Sequence, residues 1–255
     1  MKIKFLGTGT SHGVPLLNCT CPTCTSTDKK NIRYRSSVWI QDSGTDIIID
    51  TPAEFRLRAL EYKIPKLDAV LMSHGHADHI AGLDDIRIYN ELQSGPVPLY
   101  LDGNTKNEIL NRFSYIFKNT QEGGGKPKIE MIEIIKQNTF KIKNTVIQPL
   151  KIQHGELQIT GFLVNKDFAY ITDCSYMPDE TLALIKGVKV LVLNALRHET
   201  HPTHFNLNEA IETARKAQAK KTYFTHIAHA LEHNATNKLL PEGISLAFDG
   251  LEIEI

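Results

Sequence analysis

The heptapeptide SHGHADH, residues 73–79, places His74, His76, Asp78 and His79 within six positions, directly behind the apolar run Leu67, Ala69, Val70, Leu71 and Met72. Imidazole nitrogens and carboxylate oxygens are the usual hard-to-borderline ligands of zinc and related divalent cations. A loop leaving a rigid strand can aim such side chains at one point, so the spacing predicts a metal site. Single histidines and aspartates are ordinary loop residues, and it is their crowding at a strand end that carries the prediction.

Nine of the eleven histidines fall in three groups, at 74, 76 and 79, at 198, 201 and 204, and at 226, 229 and 233. A cation centre assembled from distant segments has this appearance. Three further candidate ligands stand where predicted strands give way to loops. His154 closes TVIQPLKIQ and precedes Gly155, Asp173 ends FAYITD, and His226 ends KTYFTH.

A second cluster is NCTCPTC, with Cys19, Cys21 and Cys24 in a C-x-C-x2-C run. Disulfides at this spacing are strained, whereas three thiolates and one imidazole make a tetrahedral zinc site. His229, three residues past His226, is the expected fourth ligand. Cys174 reads as a small buried side chain.

The elements that must position these residues follow from apolar periodicity. Period-two alternation predicts thirteen strands, among them KIKFLG, TDIIID, DAVLMS, TVIQPLKIQ, FAYITD, KVLVLN and KTYFTH. Helical spacing covers residues 53–62, 82–92, 105–117, 179–186 and 207–219. No repeat and no Pro- or Ser-rich linker divides the chain, so residues 1–255 are expected to form one domain, with the cysteine loop at 19–24. The segment KNTQEGGGKPK, residues 118–128, predicts a mobile loop.

Apolar residues are 41% and charged residues 23%, as in soluble enzymes. No apolar stretch resembles a signal peptide or a membrane span, which favours the cytoplasm. Twenty-nine Lys and Arg balance twenty-nine Asp and Glu, so no overall field would draw the protein to nucleic acid or anionic lipid. The basic run KKNIRYR, with Lys29, Lys30, Arg33 and Arg35, reads as a solvated face.

Taken in order, His74, His76, Asp78, His79, His154, Asp173 and His226 resemble the ligand set of the metallo-β-lactamase superfamily, as do the opening GTGTS and the strand IIIDTP. The resemblance implies an α+β fold, a four-layer αββα sandwich with two divalent ions, Zn or Mn, at one edge. It assigns His74, His76 and His154 to one ion and Asp78, His79 and His226 to the other, with Asp173 bridging and Asp50 orienting a ligand histidine. Asp78 is thereby implied to be indispensable to catalysis.

The cysteine loop, HGVP, GLDDIR and the terminal HxxH narrow the resemblance to the PhnP family of cyclic phosphodiesterases. That resemblance implies one structural Zn on Cys19, Cys21, Cys24 and His229. It also implies a homodimer and a small phosphodiester substrate such as phosphoribosyl 1,2-cyclic phosphate or a 2′,3′-cyclic nucleotide. In phosphodiesterases of the superfamily a histidine before a helix approaches the phosphate or protonates the leaving oxygen. His204, ahead of Asn206 and Glu209, matches best; His201 is the alternative, and His198 reads as part of a loop. A tRNA-processing nuclease would need a long arm between His154 and Asp173, where only 18 residues lie. A thioester or lactone hydrolase and a PqqB-like accessory protein are the other readings.

Overall fold

The computed structural model describes residues 1–118, 125–135 and 138–255. Most of the glycine-rich segment expected to be a loop, residues 119–124, lies outside them. Among the described residues, one sheet consists of β1 (Lys2–Gly7), β2 (Ser37–Asp42), β3 (Thr45–Ile49), β4 (Ala69–Leu71), β5 (Val97–Leu101), β6 (Ile129–Glu133) and β14 (Glu252–Glu254), in the order β14-β1-β2-β3-β4-β5-β6. The other holds β7 (Phe140–Ile142), β8 (Thr145–His154), β9 (Leu157–Val164), β10 (Phe168–Ile171), β11 (Val190–Asn194), β12 (Lys221–Thr225) and β13 (Ile244–Leu246), in the order β13-β12-β11-β10-β9-β8-β7.

Strand alternation divides each sheet's side chains between two cores. In β10 and β11, Phe168, Tyr170, Val190 and Val192 pack between the sheets with Ile3, Phe5, Val38 and Ile47. Their neighbours Ala169, Ile171, Leu191 and Leu193 face outward, under α6 (Asp179–Ile185) and α7 (Leu207–Ala217). On the far side Ile48, Val70 and Leu99 are covered by residues of α1 (Phe55–Tyr62), α2 (Ala77–Ile80), α3 (Arg87–Gln93) and α4 (Gly103–Arg112). The result is the αββα sandwich. Each fully buried Ile, Leu or Phe contributes roughly 1.5–3 kcal/mol, and it is this three-part core that holds the sheet rims in register.

Strand direction explains where the candidate ligands gather. β8 is antiparallel to β9, β9 is antiparallel to β10, and β10, β11 and β12 are parallel. Hence β8, β10 and β12 point the same way and carry His154, Asp173 and His226 to a common rim. From the other sheet the parallel pair β3 and β4 brings Asp50 and residues 73–79 to the facing rim. A cross-sheet bond from the Thr160 N–H to the Ser73 carbonyl, 2.9 Å, ties the two rims together.

Differences from the periodicity have local causes. The helix expected over 105–117 breaks at Phe113 into α4 and α5 (Ser114–Phe117), and the one over 82–92 begins as a tight turn, Leu83–Ile86. The motif expected to lie in a loop contains α2, a single helical turn. Two elements fall outside the predicted ones. One is α8 (His233–Leu239), whose start is capped by the Glu232 carboxylate accepting from the Ala235 N–H at 2.6 Å. The other is the three-residue edge strand β14, which pairs with β1. No helix among the described residues is long and apolar enough to cross a membrane.

Candidate metal centre

The motif's first half leaves β4 as an extended loop, and its second half turns into α2, with His76 at the cap position. This break in direction lets one short sequence serve two ligand sets. The ligand atoms of His74, His76 and His154 lie within 4.8 Å of one another, as do those of Asp78, His79, Asp173 and His226. Asp173 also joins His154 and His204 in a third such group, so its carboxylate stands between the two sets. Gly75 makes the approach possible: a Cβ there would stand 2.6 Å from Glu108 Cβ on α4.

Three of these side chains sit on backbone that L-residues seldom adopt. Asp50, Asp173 and His226 have φ of 63°, 57° and 55°. Such left-handed residues cost on the order of 1–3 kcal/mol each and persist where the surrounding structure over-determines them. Here each is the first or second residue beyond a buried strand and turns its side chain back over the rim.

Hydrogen bonds fix which nitrogen each ring presents. His79 Nδ1 donates to Asp50 Oδ2 at 2.7 Å, and His154 Nδ1 donates to the Thr203 carbonyl at 2.7 Å. Asp50 also accepts from the Ser73 N–H and hydroxyl, at 2.8 and 2.7 Å, and the Ser73 hydroxyl lies 3.0 Å from His74 Nδ1. Nε2 of His74, His79 and His154 is thereby left for the centre, the arrangement that supports metal-bound imidazoles. Replacing Asp50 by asparagine should weaken cation binding at the His79 set by roughly 10–100-fold, measured calorimetrically, with the circular dichroism spectrum unchanged.

These residues fit a cation. The buried Nε2 atoms of His74, His79 and His226 have no hydrogen-bond partner. Carboxylate oxygens face two of them, Asp78 and Asp173 each 3.3 Å from His79 Nε2, and Asp173 3.1 Å and Asp78 3.6 Å from His226 Nε2. Unpaired buried polar atoms cost roughly 1–3 kcal/mol each, and a cation in each ligand set would satisfy them, one at His74 and one at His79 and His226.

Electrostatics points the same way. Burial opposes charge on every group, yet His226 and His79 hold the Asp173 carboxyl well below the usual carboxylate range, and His79 does the same for Asp78. The carboxylates in turn raise His226 to about 9 and His79 well above its ordinary value, against the effect of burial. His74 has no such compensation, and burial pushes it well down. Without a cation, protons on His79 and His226 neutralise the acid pair. A cation entering the His79 and His226 set at pH 7 must displace them, so its uptake should release roughly one to two protons and weaken as pH falls. Calorimetry in buffers of different ionisation enthalpy measures that release.

His204 lies at the edge of this cluster, its Nε2 donating to Asp173 Oδ1 at 3.1 Å and its ring stacked on His226 at 4.8 Å. It stands just ahead of a capping box, in which Asn206 accepts from the Glu209 N–H at 3.0 Å and Glu209 accepts from the Asn206 N–H at 2.8 Å. Burial pushes its pKa down to about 4. His201 is farther out, near Thr203, and His198 is exposed.

The cysteine cluster acquires its fourth member only through the fold, which brings His229 to it from more than two hundred positions away. Sγ of Cys19, Cys21 and Cys24 lie 3.3, 3.3 and 3.6 Å from His229 Nδ1. The Cys24 N–H lowers the Cys21 thiol to about 6, while burial raises Cys24 to about 11. The third histidine group therefore separates three ways. His226 faces the His/Asp cluster, His229 faces the thiols, and His233 is buried against Phe248.

Arg33 corrects the reading of the basic run as solvated. It is 1% exposed, and its guanidinium donates to the carbonyls of Ala228 at 2.9 Å and Leu231 at 2.7 Å, clamping the loop that carries His229. Lys29 and Lys30 are exposed as expected. Ser73 and Thr203 are the other supporting residues that spacing did not single out.

A family model described as a beta-lactamase superfamily domain matches residues 40–227. A solved diphosphatase of the PhnP family is 40% identical to this chain, with a TM-score of 0.93, over 100% of this chain and 96% of that one. The chain belongs to the metallo-β-lactamase superfamily, in its PhnP branch. It has the metallo-β-lactamase fold. The Zn(2+)-bound PqqB of Methylobacterium extorquens shares the fold, with a TM-score of 0.81 at 19% identity over the whole of both chains. A curated octanoyltransferase of Porphyromonas gingivalis is 34% identical over 258 residues, 99% of this chain and 51% of that protein. The chain thus spans about half the length of that relative.

Proposed function

We propose that this PhnP-branch protein is a dinuclear metal-dependent phosphodiesterase acting on small phosphodiesters, with phosphoribosyl 1,2-cyclic phosphate and 2′,3′-cyclic nucleotides as the simplest. The observation that carries the reading is the pairing of two adjacent cation-binding sets about one carboxylate, Asp173. In this reading His74, His76 and His154 hold one ion, Asp78, His79 and His226 the other, and Asp173 both. Two cations so placed supply a water of lowered pKa and neutralise charge on phosphoryl oxygens. Cys19, Cys21, Cys24 and His229 hold a third, structural zinc.

The protein's own groups then orient and move protons. Asp50 and the Thr203 carbonyl keep His79 and His154 in one tautomer. His204, neutral at pH 7, would give its Nε2 proton to the oxygen leaving phosphorus and be reprotonated at Nδ1 from the side of Thr203 and His201. His204→Ala should lower kcat by roughly 10²–10⁴-fold while metal content stays the same. Loss of metal along with activity would make His204 a ligand instead.

A small substrate accords with the rim. Between His154 and Asp173 the chain contains only β9, β10 and the short turns at 155–156 and 165–167, leaving no arm to grip an RNA. The PhnP-family relative's description as a diphosphatase favours a second reading, in which the hydrolysed bond is a P–O–P linkage. The test is a panel of 2′,3′-cyclic AMP, phosphoribosyl 1,2-cyclic phosphate, a dinucleoside diphosphate and octanoyl thioester, offered to metal-loaded protein. Turnover of the phosphorus compounds supports the proposal, and turnover of the thioester alone would replace it by an acyl hydrolase.

A further inference from the structure

Two separate cavities open beside the histidine cluster, and they share no lining residue. The first, about 550 Å³, adjoins His74 and His76 and is walled by the outer face of α4 with Asn104, Asn107 and Arg112, and by Leu157. The second, about 420 Å³, adjoins His201 and His204 and is walled by Leu16, Leu196, Ala228 and Ala230, with Ser11 and His12 at its edge. Both fall within the size range of small-molecule sites, roughly 300–1,000 Å³. His154 stands between them, its ring centroid 5.1 Å from that of His76 and 4.6 Å from that of His204.

We infer that the preferred substrate has two arms, one on each side of the phosphoryl centre, and that each cavity takes one. This rests on the phosphodiesterase reading and specifies its substrate class: a linear phosphodiester or diphosphate diester carrying substantial groups at both ends. A cyclic phosphate has both ester oxygens in one ring and fills a single cavity. The chemistry of the walls distinguishes the arms. Asn104 and Asn107 offer amides, and Arg112 is ion-paired with Glu108 of the same wall at 3.0 Å, so this cavity suits a hydroxylated group. The second cavity sets Leu16, Leu196 and two alanines beside Arg197, Glu199 and His201, suited to a heterocycle that carries hydrogen-bonding groups, and this is the arm beside His204.

The test compares two non-reacting probes by calorimetry on metal-loaded protein. One is 5′-AMP, and the other is two adenosines joined 5′ to 5′ through methylenediphosphonate. The two-armed probe should bind at least about tenfold more tightly than AMP. Filling either cavity, by Asn107→Trp on α4 or by Ser11→Trp at the second, should bring that probe to the affinity of AMP. AMP itself, whose heterocycle takes the second cavity, should change by no more than about twofold in Asn107→Trp. Ala230→Trp provides an independent obstruction of the second cavity, and Arg112→Met an independent change in the first. AMP binding as tightly as the two-armed probe, or an advantage that survives filling of both cavities, would overturn the inference. If the advantage is absent while 2′,3′-cyclic AMP is hydrolysed, only the two-armed substrate falls. If the advantage is present with no phosphorus compound hydrolysed, the phosphodiesterase reading falls and the two-cavity site stands.

Discussion

Asp173→Ala is expected to remove hydrolytic activity and to reduce cation occupancy at both ligand sets. Its two oxygens lie 3.1 Å from His204 and His226 and 3.3 Å from His79, and it shares a ligand group with His154. No other carboxylate belongs to more than one of these groups among the described residues. Its removal also takes away part of the negative charge that holds His79 and His226 above their ordinary pKa values, and so alters the set they share with Asp78. The loss in kcat/KM should exceed the roughly 10–100-fold that follows loss of an outer hydrogen-bond partner. Metal analysis beside steady-state kinetics checks this. Retention of two ions with near-normal activity would mean that Asp173 does not join the two sets.

Cys21→Ala is expected to act mainly on stability. The three sulfurs and His229 draw residues 19–24 against a loop over two hundred positions away, and binding of a cation to such a set contributes to folding. A loss of about 3–5 kcal/mol in a domain of this size corresponds to a melting temperature lower by roughly 6–20 °C. One zinc per chain should disappear with it. The effect should reach the hydrolytic site weakly, because Arg33 still holds the Ala228 and Leu231 carbonyls and the Ile227 N–H still donates to the Thr8 carbonyl at 2.9 Å. Unchanged melting with one fewer zinc would show that the cluster holds an ion without stabilising the fold.

The sequence displays much of this centre because metal ligands are few in kind and must stand at element ends. His74, His76, Asp78 and His79 are adjacent in the chain, and His154, Asp173 and His226 each follow a strand whose apolar alternation is plain. Their convergence was less visible, because it depends on β8, β10 and β12 running in one direction within a sheet of mixed pairing. The supporting contacts were largely hidden. Thr203 acts through its carbonyl, which no side chain reveals, and Arg33 sits in a run of cations that reads as surface. The two cavities arise where α4 and the loops at 10–16 and 196–204 approach the rim, a tertiary property with no local signature. α8 escaped because HNATNKL has no apolar stripe, whereas β14 lies in LEIEI, whose alternation does mark a strand.

The most direct test of the account is hydrolysis of bis(p-nitrophenyl) phosphate and 2′,3′-cyclic AMP by metal-loaded protein in ¹⁸O-labelled water, with Asp78→Ala as the control. The account predicts turnover of a phosphodiester, one labelled oxygen on the phosphorus of the product, and no turnover by the variant. No hydrolysis of either compound, or equal hydrolysis by the variant, would contradict it.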